Sequence, residues 1–369
     1  MWRAVAIGVL CLGSAAQAVE TMRIQMEDAA KEATLSGEGL SFGVDAEEAR
    51  FSPSPFGRSV VRVVEGHLDV DGAIWPEQAV RFRAGTSGLD DGVPGRAPIR
   101  ANGFEVRGDV VARLHRGRIQ LINVLPLEDY LLGVLGSEMP TSFPEEALKA
   151  QAVAARTYAL EKKLEALDQP FHMGASVIHQ VYGGLREEDP RTRAAVEATR
   201  GEVLTWELQP IEAYFHASCG GRTEDGADAL GRDLPYLKSV SCPCGDLPAA
   251  RWEVTVPRRE LERTFGIRDG ELRIAGRTRT GRVSRLVASN GRVIDAVSFR
   301  AKLGYTRIKS LSFDVTPAQN GDGLHFTGRG YGHGAGLCQW GAKVMAARGA
   351  TYREILAHYY PGTELQTLY

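Results

Sequence analysis

Two neighbouring segments, LEDYLLGVLGSEMP at residues 127–140 and ALKAQAVAARTY at residues 147–158, predict the helical part of the fold. Pro126 stands where the first turn of a helix tolerates proline, so we expect a short helix from residue 126 to about residue 135. That helix must end before Pro140, because proline cannot continue a helix. A turn therefore lies between the two segments.

The second segment belongs to a longer helix. Ser142 and Glu145 have the spacing of a capping box, with Pro144 in the first turn, which predicts a helix from Glu145 to about Leu167. Several of its residues are small enough for other backbone to approach closely, so we expect it to lie in the core. These residues are Ala147, Leu148, Ala150, Ala154, Ala155 and Tyr158.

The residues on both sides of these helices alternate short apolar runs with turns, a pattern typical of strands. Strands are predicted at residues 60–64, 67–70, 79–82, 110–114, 252–256, 283–287 and 307–311, and a loop at residues 85–98. Further helices are predicted at residues 191–199 and after the capping box of Thr351 and Glu354. We therefore expect an α+β protein, with a β-rich N-terminal region at residues 19–118 and a mixed α/β domain at residues 119–369.

The first eighteen residues have the pattern of an export signal. Arg3 precedes an apolar run at residues 4–13, and Ala16-Gln17-Ala18 matches a cleavage site. The alternative interpretation of these residues is a buried N-terminal strand. The apolar run is too short to span a bilayer, which takes about 20 residues. We expect export to the periplasm or the extracellular cell envelope, with no membrane span in the mature chain. The near balance of 44 basic and 46 acidic residues also argues against nucleic acid as a partner.

Two further segments are rich in polar and glycine residues, YFHASCGGRTE at residues 214–224 and GRGYGHGAGLCQWGA at residues 328–342. Together with the two helical segments they resemble the SpoIID/LytB family of bacterial cell-wall proteins. The resemblance covers roughly residues 120–369 and implies a Gly-rich groove that binds peptidoglycan. The founding member of that family is a lytic transglycosylase that acts on glycan strands without peptides, and a related member modifies an amidase.

Glu138 is the candidate catalytic residue. It lies between a helix end and Pro140, where a carboxylate can be fixed in position and still face a cleft. The resemblance makes this residue the acid that protonates a glycosidic oxygen, which a carboxyl with a raised pKa can do. A solvated glutamate that caps the next helix is the structural alternative.

Other polar residues of the matching segments are candidates for substrate binding, although packing or a hairpin edge accounts for several of them equally well. They are Arg156, Tyr158, Gln180, Tyr182, His333 and Gln339.

Four cysteines remain after the export signal, and all lie in or just after the matching segments: Cys219, Cys242, Cys244 and Cys338. The family commonly has serine at position 338 and another residue at position 219. Cys242 and Cys244 cannot easily bond to each other, so the four form either two disulfides or a structural zinc site, with His216 as a substitute ligand.

The resemblance thus implies glycan-strand cleavage by a lytic transglycosylase mechanism with one glutamate. The alternative is a non-catalytic peptidoglycan-binding protein whose partner is a cell-wall amidase. The chain lacks the HExxH and GxSxG motifs, which argues against a zinc protease or an esterase. No other cofactor is expected.

Overall fold

A computed structural model describes residues 20–28, 31–46, 50–90, 93–175, 180–245, 247–267, 271–319 and 321–369. The predicted export signal, residues 1–18, lies outside the described residues. None of the helices within these ranges is both long and apolar enough to cross a membrane.

The N-terminal region is built from strands, as the alternating pattern predicts. Its strands are β1 (Thr21–Asp28), β2 (Glu32–Ser36), β3 (Ser41–Gly43), β4 (Ser52–Pro53), β5 (Arg58–Val64), β6 (His67–Val70), β7 (Ala73–Trp75), β8 (Ala79–Arg83), β9 (Thr86–Asp90), β10 (Val93–Arg96), β11 (Ile99–Ala101), β12 (Phe104–Val106), β13 (Asp109–His115) and β14 (Arg118–Pro126). A seven-stranded sheet has the order β15-β1-β14-β13-β8-β3-β4, in which β15 is Met173–Gly174, and a six-stranded sheet has the order β12-β11-β2-β5-β6-β7.

The helices follow directly from β14. They are α1 (Leu127–Glu138), α2 (Glu145–Glu165), α3 (Pro190–Ala198), α4 (Gly226–Leu230), α5 (Arg258–Phe265), α6 (Ala296–Leu303), α7 (Gln339–Ala347) and α8 (Tyr352–Tyr359). The central helix is α2, which packs against α1, α3, α7 and α8. Its alanine-rich middle is fully buried, which confirms the prediction of a core helix.

The remaining strands are β16 (Glu202–Trp206), β17 (Gln209–Pro210), β18 (Phe215–His216), β19 (Arg251–Val256), β20 (Leu272–Arg277), β21 (Val283–Ala288), β22 (Val293–Asp295), β23 (Phe313–Pro317), β24 (Leu324–Arg329), β25 (Leu337–Cys338) and β26 (Glu364–Thr367). Residues 251–329, which we call the small lobe, contain β19–β24 with α5 and α6 and have a hydrophobic core of their own. A second and larger core runs from Met22 to Tyr360 and joins the N-terminal sheets to α1 and α2.

The predicted division at residues 118 and 119 falls at the start of β14, which pairs with β13 along its length. The residues on its two sides share the larger core, so this position does not separate two cores. The α+β class is confirmed, and α1 ends before Pro140 as predicted. The helix runs about three residues further than expected, so Glu138 is its last residue and does not lie in the turn, which begins at the extended Met139.

Three local predictions are wrong. Residues 85–98 contain the hairpin of β9 and β10, and residues 307–311 are irregular where we expected a strand. Ser142 does not cap α2, because Pro144 occupies the N-cap position and no side chain bonds there. The capping box of Thr351 and Glu354 is present at α8.

Candidate functional site

Glu138 is the last residue of α1, and its side chain is half-buried. The backbone N–H of Val181 donates a hydrogen bond of 2.6 Å to Glu138 Oε1. Burial raises the pKa of Glu138 above its ordinary value, and the bond from Val181 opposes that shift without cancelling it. The negative end of the helix dipole also disfavours a carboxylate at this position. The site thus favours a protonated carboxyl with a fixed orientation.

Two glycines of α1 let the segment of Val181 lie against the helix. A Cβ at Gly133 would stand 2.6 Å from the ring of Tyr182, and one at Gly136 would stand 2.0 Å from the carbonyl oxygen of Glu187. Larger residues at either position would therefore push this segment away from α1. The close approach is what brings the Val181 N–H to Glu138.

Gln180 and Tyr182, predicted to bind substrate, are buried on either side of Val181. Gln180 accepts a hydrogen bond of 2.9 Å from the Tyr130 hydroxyl and donates one of 3.0 Å to the carbonyl oxygen of Ala155. The Tyr182 hydroxyl donates to Asn123 Oδ1 at 2.8 Å. Contacts within the protein therefore occupy both side chains and fix the segment, and their predicted contact with a substrate stays a prediction.

Arg156 is fully buried in α2 and holds Glu128 of α1. Its Nε and Nη2 donate to the two carboxylate oxygens of Glu128 at 2.8 and 2.7 Å. Its remaining N–H groups reach the carbonyl oxygens of Val196 and Glu202 at 3.2 Å. The structure shows the contact with a structural carboxylate, and the donors of Arg156 face protein acceptors; its contact with a substrate stays a prediction.

The Gly-rich segment contacts the same helix. Gln339 Nε2 donates to Gln151 Oε1 at 3.4 Å, and Gln151 lies one helical turn before Ala155, which accepts from Gln180. One turn corresponds to a rise of about 5–6 Å. The segment that orients Glu138 and the segment that contains Gln339 thus meet α2 at adjacent turns. Gln339 itself is 5% exposed.

His333 and Tyr158 are linked through Tyr214. The ring of Tyr214 lies 5.9 Å from that of His333 and 5.5 Å from that of Tyr158. The backbone N–H of Ala335 donates to His333 Nδ1, so Nε2 carries the proton and donates to the Phe215 carbonyl oxygen at 2.9 Å. Burial lowers the pKa of His333 to about 4, so this imidazole is neutral near pH 7. Tyr158 is 5% exposed, whereas His333 is half-buried.

The four cysteines form one cluster, which the sequence predicted from their position in the matching segments. Strands β18 and β25 pair in parallel and bring residues 215–219 beside Cys338. All four sulfurs lie within 4.8 Å of one another, with Cys219 Sγ and Cys338 Sγ at 3.4 and 3.7 Å from Cys244 Sγ. A tetrahedral zinc site with bonds of about 2.3 Å separates its sulfurs by about 3.8 Å.

Polar groups around the cluster suit thiolates. The backbone N–H groups of Cys219 and Gly341 each lie 3.3 Å from Cys338 Sγ, and the Tyr359 hydroxyl lies 3.2 Å from Cys242 Sγ. Hydrogen bonds from the neighbouring thiols, from Cys219 above all, lower the pKa of Cys244, whereas burial raises the pKa of Cys338. The donors therefore fit a site for a cation held by sulfur.

His216 lies outside the group formed by the four sulfurs. Its Nδ1 donates to the carbonyl oxygen of Ala335 at 3.1 Å, and its buried Nε2 has no hydrogen-bond partner among the described residues. The four sulfurs thus form a group by themselves, and a role of His216 as a substitute ligand stays a prediction.

Comparison with known proteins identifies the relatives of this chain. Residues 115–206 match the SpoIID model, described as Stage II sporulation protein. Stage II sporulation protein D of Bacillus subtilis is 35% identical over 274 residues, which cover 68% of this chain and 78% of that protein. The chain belongs to the SpoIID family.

Two other relatives extend the comparison. An uncharacterised protein of Brachyspira hyodysenteriae is 34% identical over 271 residues, which cover 72% of this chain and 73% of that protein. The amidase enhancer of Bacillus subtilis is 31% identical over 292 residues, which cover 64% of this chain but 40% of that protein. The SpoIID family resemblance stated from the motifs is confirmed.

Two features of this SpoIID-family site were missed from the sequence. The first is the backbone N–H of Val181, which lies between Gln180 and Tyr182, the two residues predicted to bind substrate. The second is Gln151, the partner of Gln339, which is buried in α2 and has an amide nitrogen without a hydrogen-bond partner among the described residues. A glutamine among alanines in the core helix was the only sequence signal for it.

Proposed function

We propose that this protein cleaves the glycan strands of peptidoglycan, with Glu138 as its single general acid and base. The observation that carries the proposal is the half-buried Glu138 carboxyl, whose pKa is raised and whose orientation is fixed by Val181. A carboxyl that stays protonated nearer to neutral pH can deliver a proton to a leaving oxygen. Membership of the SpoIID family supports the choice of substrate.

One carboxyl is sufficient for this reaction. Glu138 gives its proton to the glycosidic oxygen as the bond from that oxygen to C1 of the muramic acid breaks. The C6 hydroxyl of the same sugar then attacks C1, and its proton passes to the Glu138 carboxylate. The products are a 1,6-anhydro sugar and a free hydroxyl, and no water is consumed. Hydrolysis by a pair of carboxylates would instead add a water.

The products decide between these reactions. Purified peptidoglycan, with and without its stem peptides, is incubated with the protein, and the fragments are examined by mass spectrometry. We expect anhydro-muramyl ends, each one water lighter than a hydrolysis product, and none with Glu138→Gln. Fragments of hydrolytic mass, or equal cleavage by the variant, would contradict the mechanism.

A second candidate is a non-catalytic protein that binds peptidoglycan and modulates an amidase. The similarity to a protein named amidase enhancer favours it. It predicts that the wild type leaves glycan strands intact yet changes the rate of a purified cell-wall amidase. Glu138→Gln would then have no effect on that rate.

We further propose that Cys219, Cys242, Cys244 and Cys338 bind one structural zinc ion. The sulfur separations of 3.4 and 3.7 Å from Cys244 Sγ and the N–H donors to Cys338 support it. Such an ion would pin β18 to β25 and to the segment of residues 242–244. Thiol titration of the denatured protein with chelator, beside metal analysis of the native protein, tests this. Four thiols with about one zinc are expected, whereas no thiols and no metal would mean two disulfides.

We also propose that the protein is exported and works in the cell envelope. Removal of residues 1–18 would leave a mature chain that begins at Val19. N-terminal sequencing of the native protein tests this, and a native chain that begins at Met1 would contradict it.

A further inference from the structure

Two arginines of the small lobe face each other across a pair of strands. Strands β19 and β24 are antiparallel, and their register places Arg251 directly opposite Arg329. Both side chains are exposed on the sheet. Like charges at directly opposite positions of an antiparallel pair destabilise it. The sequence therefore keeps an arrangement that folding alone disfavours.

Neither guanidinium has a hydrogen bond or an ion pair with any residue that the structure describes. Several other arginines of the lobe are bound: Arg277 to Asp314 at 2.5 Å, Arg307 to Glu260 at 2.5 Å, and Arg300 to the Ile308 carbonyl oxygen at 2.8 Å. Arg251 and Arg329 offer free donors side by side at one pocket, whereas Arg259, which also lacks a partner among the described residues, lies outside that pocket. Two free guanidinium groups side by side suit a carboxylate, which can accept from both.

The two arginines line a pocket of about 660 Å³. Its volume lies in the range of sites for small ligands. Two acids also line it, but Asp314 is bound by Arg277, and Glu253 lies near His325 on the neighbouring strand. Three arginines against two acids leave the pocket with a surplus of positive charge.

The pocket adjoins the Gly-rich segment. Arg329 is the last residue of β24, and the next residue, Gly330, donates its N–H to the carbonyl oxygen of Ala250, which precedes Arg251. A Cβ at Gly220 would lie 3.0 Å from the Cβ of Arg329, so the segment after Cys219 also touches this strand. A chain-like ligand lying along the Gly-rich segment can therefore reach the two arginines.

We propose that Arg251 and Arg329 form a carboxylate-binding subsite for an acidic glycan. The identity of the glycan rests on the proposed function, whereas the preference for a carboxylate rests on the arginines. In peptidoglycan this group has two sources, the lactyl carboxylate of muramic acid without its peptide and the carboxylates of the stem peptide.

Calorimetric titration of the Glu138→Gln variant, which should bind without cleaving, tests the subsite with three probes. They are glycan strands without peptides, the same strands with their carboxylates converted to methyl amides, and the isolated stem peptide. We expect strands with free carboxylates to bind about tenfold more tightly than amidated strands, as befits charge-assisted hydrogen bonds. Adding Arg251→Ala and Arg329→Ala should abolish that preference and weaken the salt dependence of binding.

Arg259→Ala is the matched control, because Arg259 is an exposed arginine of the same lobe outside the pocket. It should keep the preference. Arg329→Gln alone replaces the double variant if that variant fails to fold. If the double variant instead loses affinity for the isolated stem peptide and for neither kind of strand, that result supports the subsite and identifies the stem peptide as the source of the carboxylate.

If the double variant keeps both the preference for free carboxylates and the affinity for the stem peptide, the subsite is contradicted and the proposed function stands. Equal affinity of the parent variant for amidated and free strands, with no loss of stem-peptide affinity in the double variant, would do the same. If none of the probes binds, the subsite and the proposed function are both contradicted.

Discussion

The two ends of α1 place glutamates in opposite environments. Near the start of the helix, Glu128 accepts from Arg156, from the Tyr369 hydroxyl at 2.7 Å and from the Gly201 N–H at 3.3 Å. At the end, Glu138 accepts from Val181. Burial acts to raise the pKa of both, but the bonds and charge of Arg156 outweigh it at Glu128 and lower the pKa there.

The helix dipole increases this contrast, since it favours a carboxylate at the N-terminus and disfavours one at the C-terminus. Glu128 is therefore a charged group that holds α1 to α2. Glu138 is a carboxyl whose pKa is raised, as our proposed general acid requires. The number of donors around each group, rather than its burial, separates the structural acid from the proposed catalytic acid.

Replacing each of the two glutamates with glutamine should give the largest difference, which is a difference in the rate of glycan cleavage. Glu138→Gln should lower the rate of glycan cleavage by about 10²–10⁴-fold, the usual cost of losing a general acid. Its fold should persist, because one hydrogen bond from Val181 is all that the amide must accept. Cleavage is measured by release of anhydro ends, and stability by urea unfolding.

Glu128→Gln is the matched variant. It should retain cleavage wherever it is folded, since Glu128 holds the helices and does not reach the cleft in our proposal. Wild-type turnover in Glu138→Gln would remove Glu138 as the acid. If the Glu128→Gln variant is fully folded but loses turnover, the distinction between a structural Glu128 and a catalytic Glu138 is contradicted.

Arg156→Met should have the next largest effect. It should lower the free energy of unfolding by about 3–5 kcal/mol, because it leaves the buried Glu128 without its ion partner. Urea unfolding of both proteins measures it. Combining Arg156→Met with Glu128→Gln should recover part of the loss, since no unpaired charge then remains. A single variant as stable as the wild type would contradict the structural role of Arg156.

The two glutamates should change stability with pH in opposite senses. The raised pKa of Glu138 means that its ionisation opposes folding, so the advantage of Glu138→Gln over the wild type should grow as pH rises through that pKa. The lowered pKa of Glu128 means that its contribution is present above about 4.3, its unfolded value, and is lost as pH falls through the folded value. Unfolding free energies of the wild type and both glutamine variants, measured from acid to neutral pH, test this. Parallel curves would contradict the assignment.

The pH dependence of glycan cleavage should follow the ionisation of Glu138 alone. The general acid must be protonated, so the rate should fall as pH rises through the raised pKa of Glu138. This fall in the cleavage rate with rising pH should also be present in the Glu128→Gln variant.

Tyr369→Phe should have the smallest effect, about 1 kcal/mol of stability, since it removes one of several donors to Glu128. The loss should shrink at low pH, where Glu128 is protonated. Tyr305→Phe is the control, because its exposed hydroxyl bonds to no residue that the structure describes. Equal effects of the two variants would mean that the Tyr369 bond contributes nothing.

Local sequence determined the elements that carry the site. Pro140 ended α1 at Glu138, and the small residues of α2 made it a core helix, because steric limits and residue size act between neighbours in the chain. The motif segments also identified the SpoIID family and grouped the four cysteines. Where the local signal was weak, as at residues 85–98 and 307–311, the sequence prediction failed.

Only the tertiary structure decided which acid is charged and which donors are free. Arg156 reaches Glu128 across 28 positions, Val181 reaches Glu138 across 43, and Arg251 faces Arg329 across 78 by strand pairing. None of these distances follows from spacing along the chain. A pKa depends on every dipole and charge packed around a group, and those neighbours are chosen by the fold.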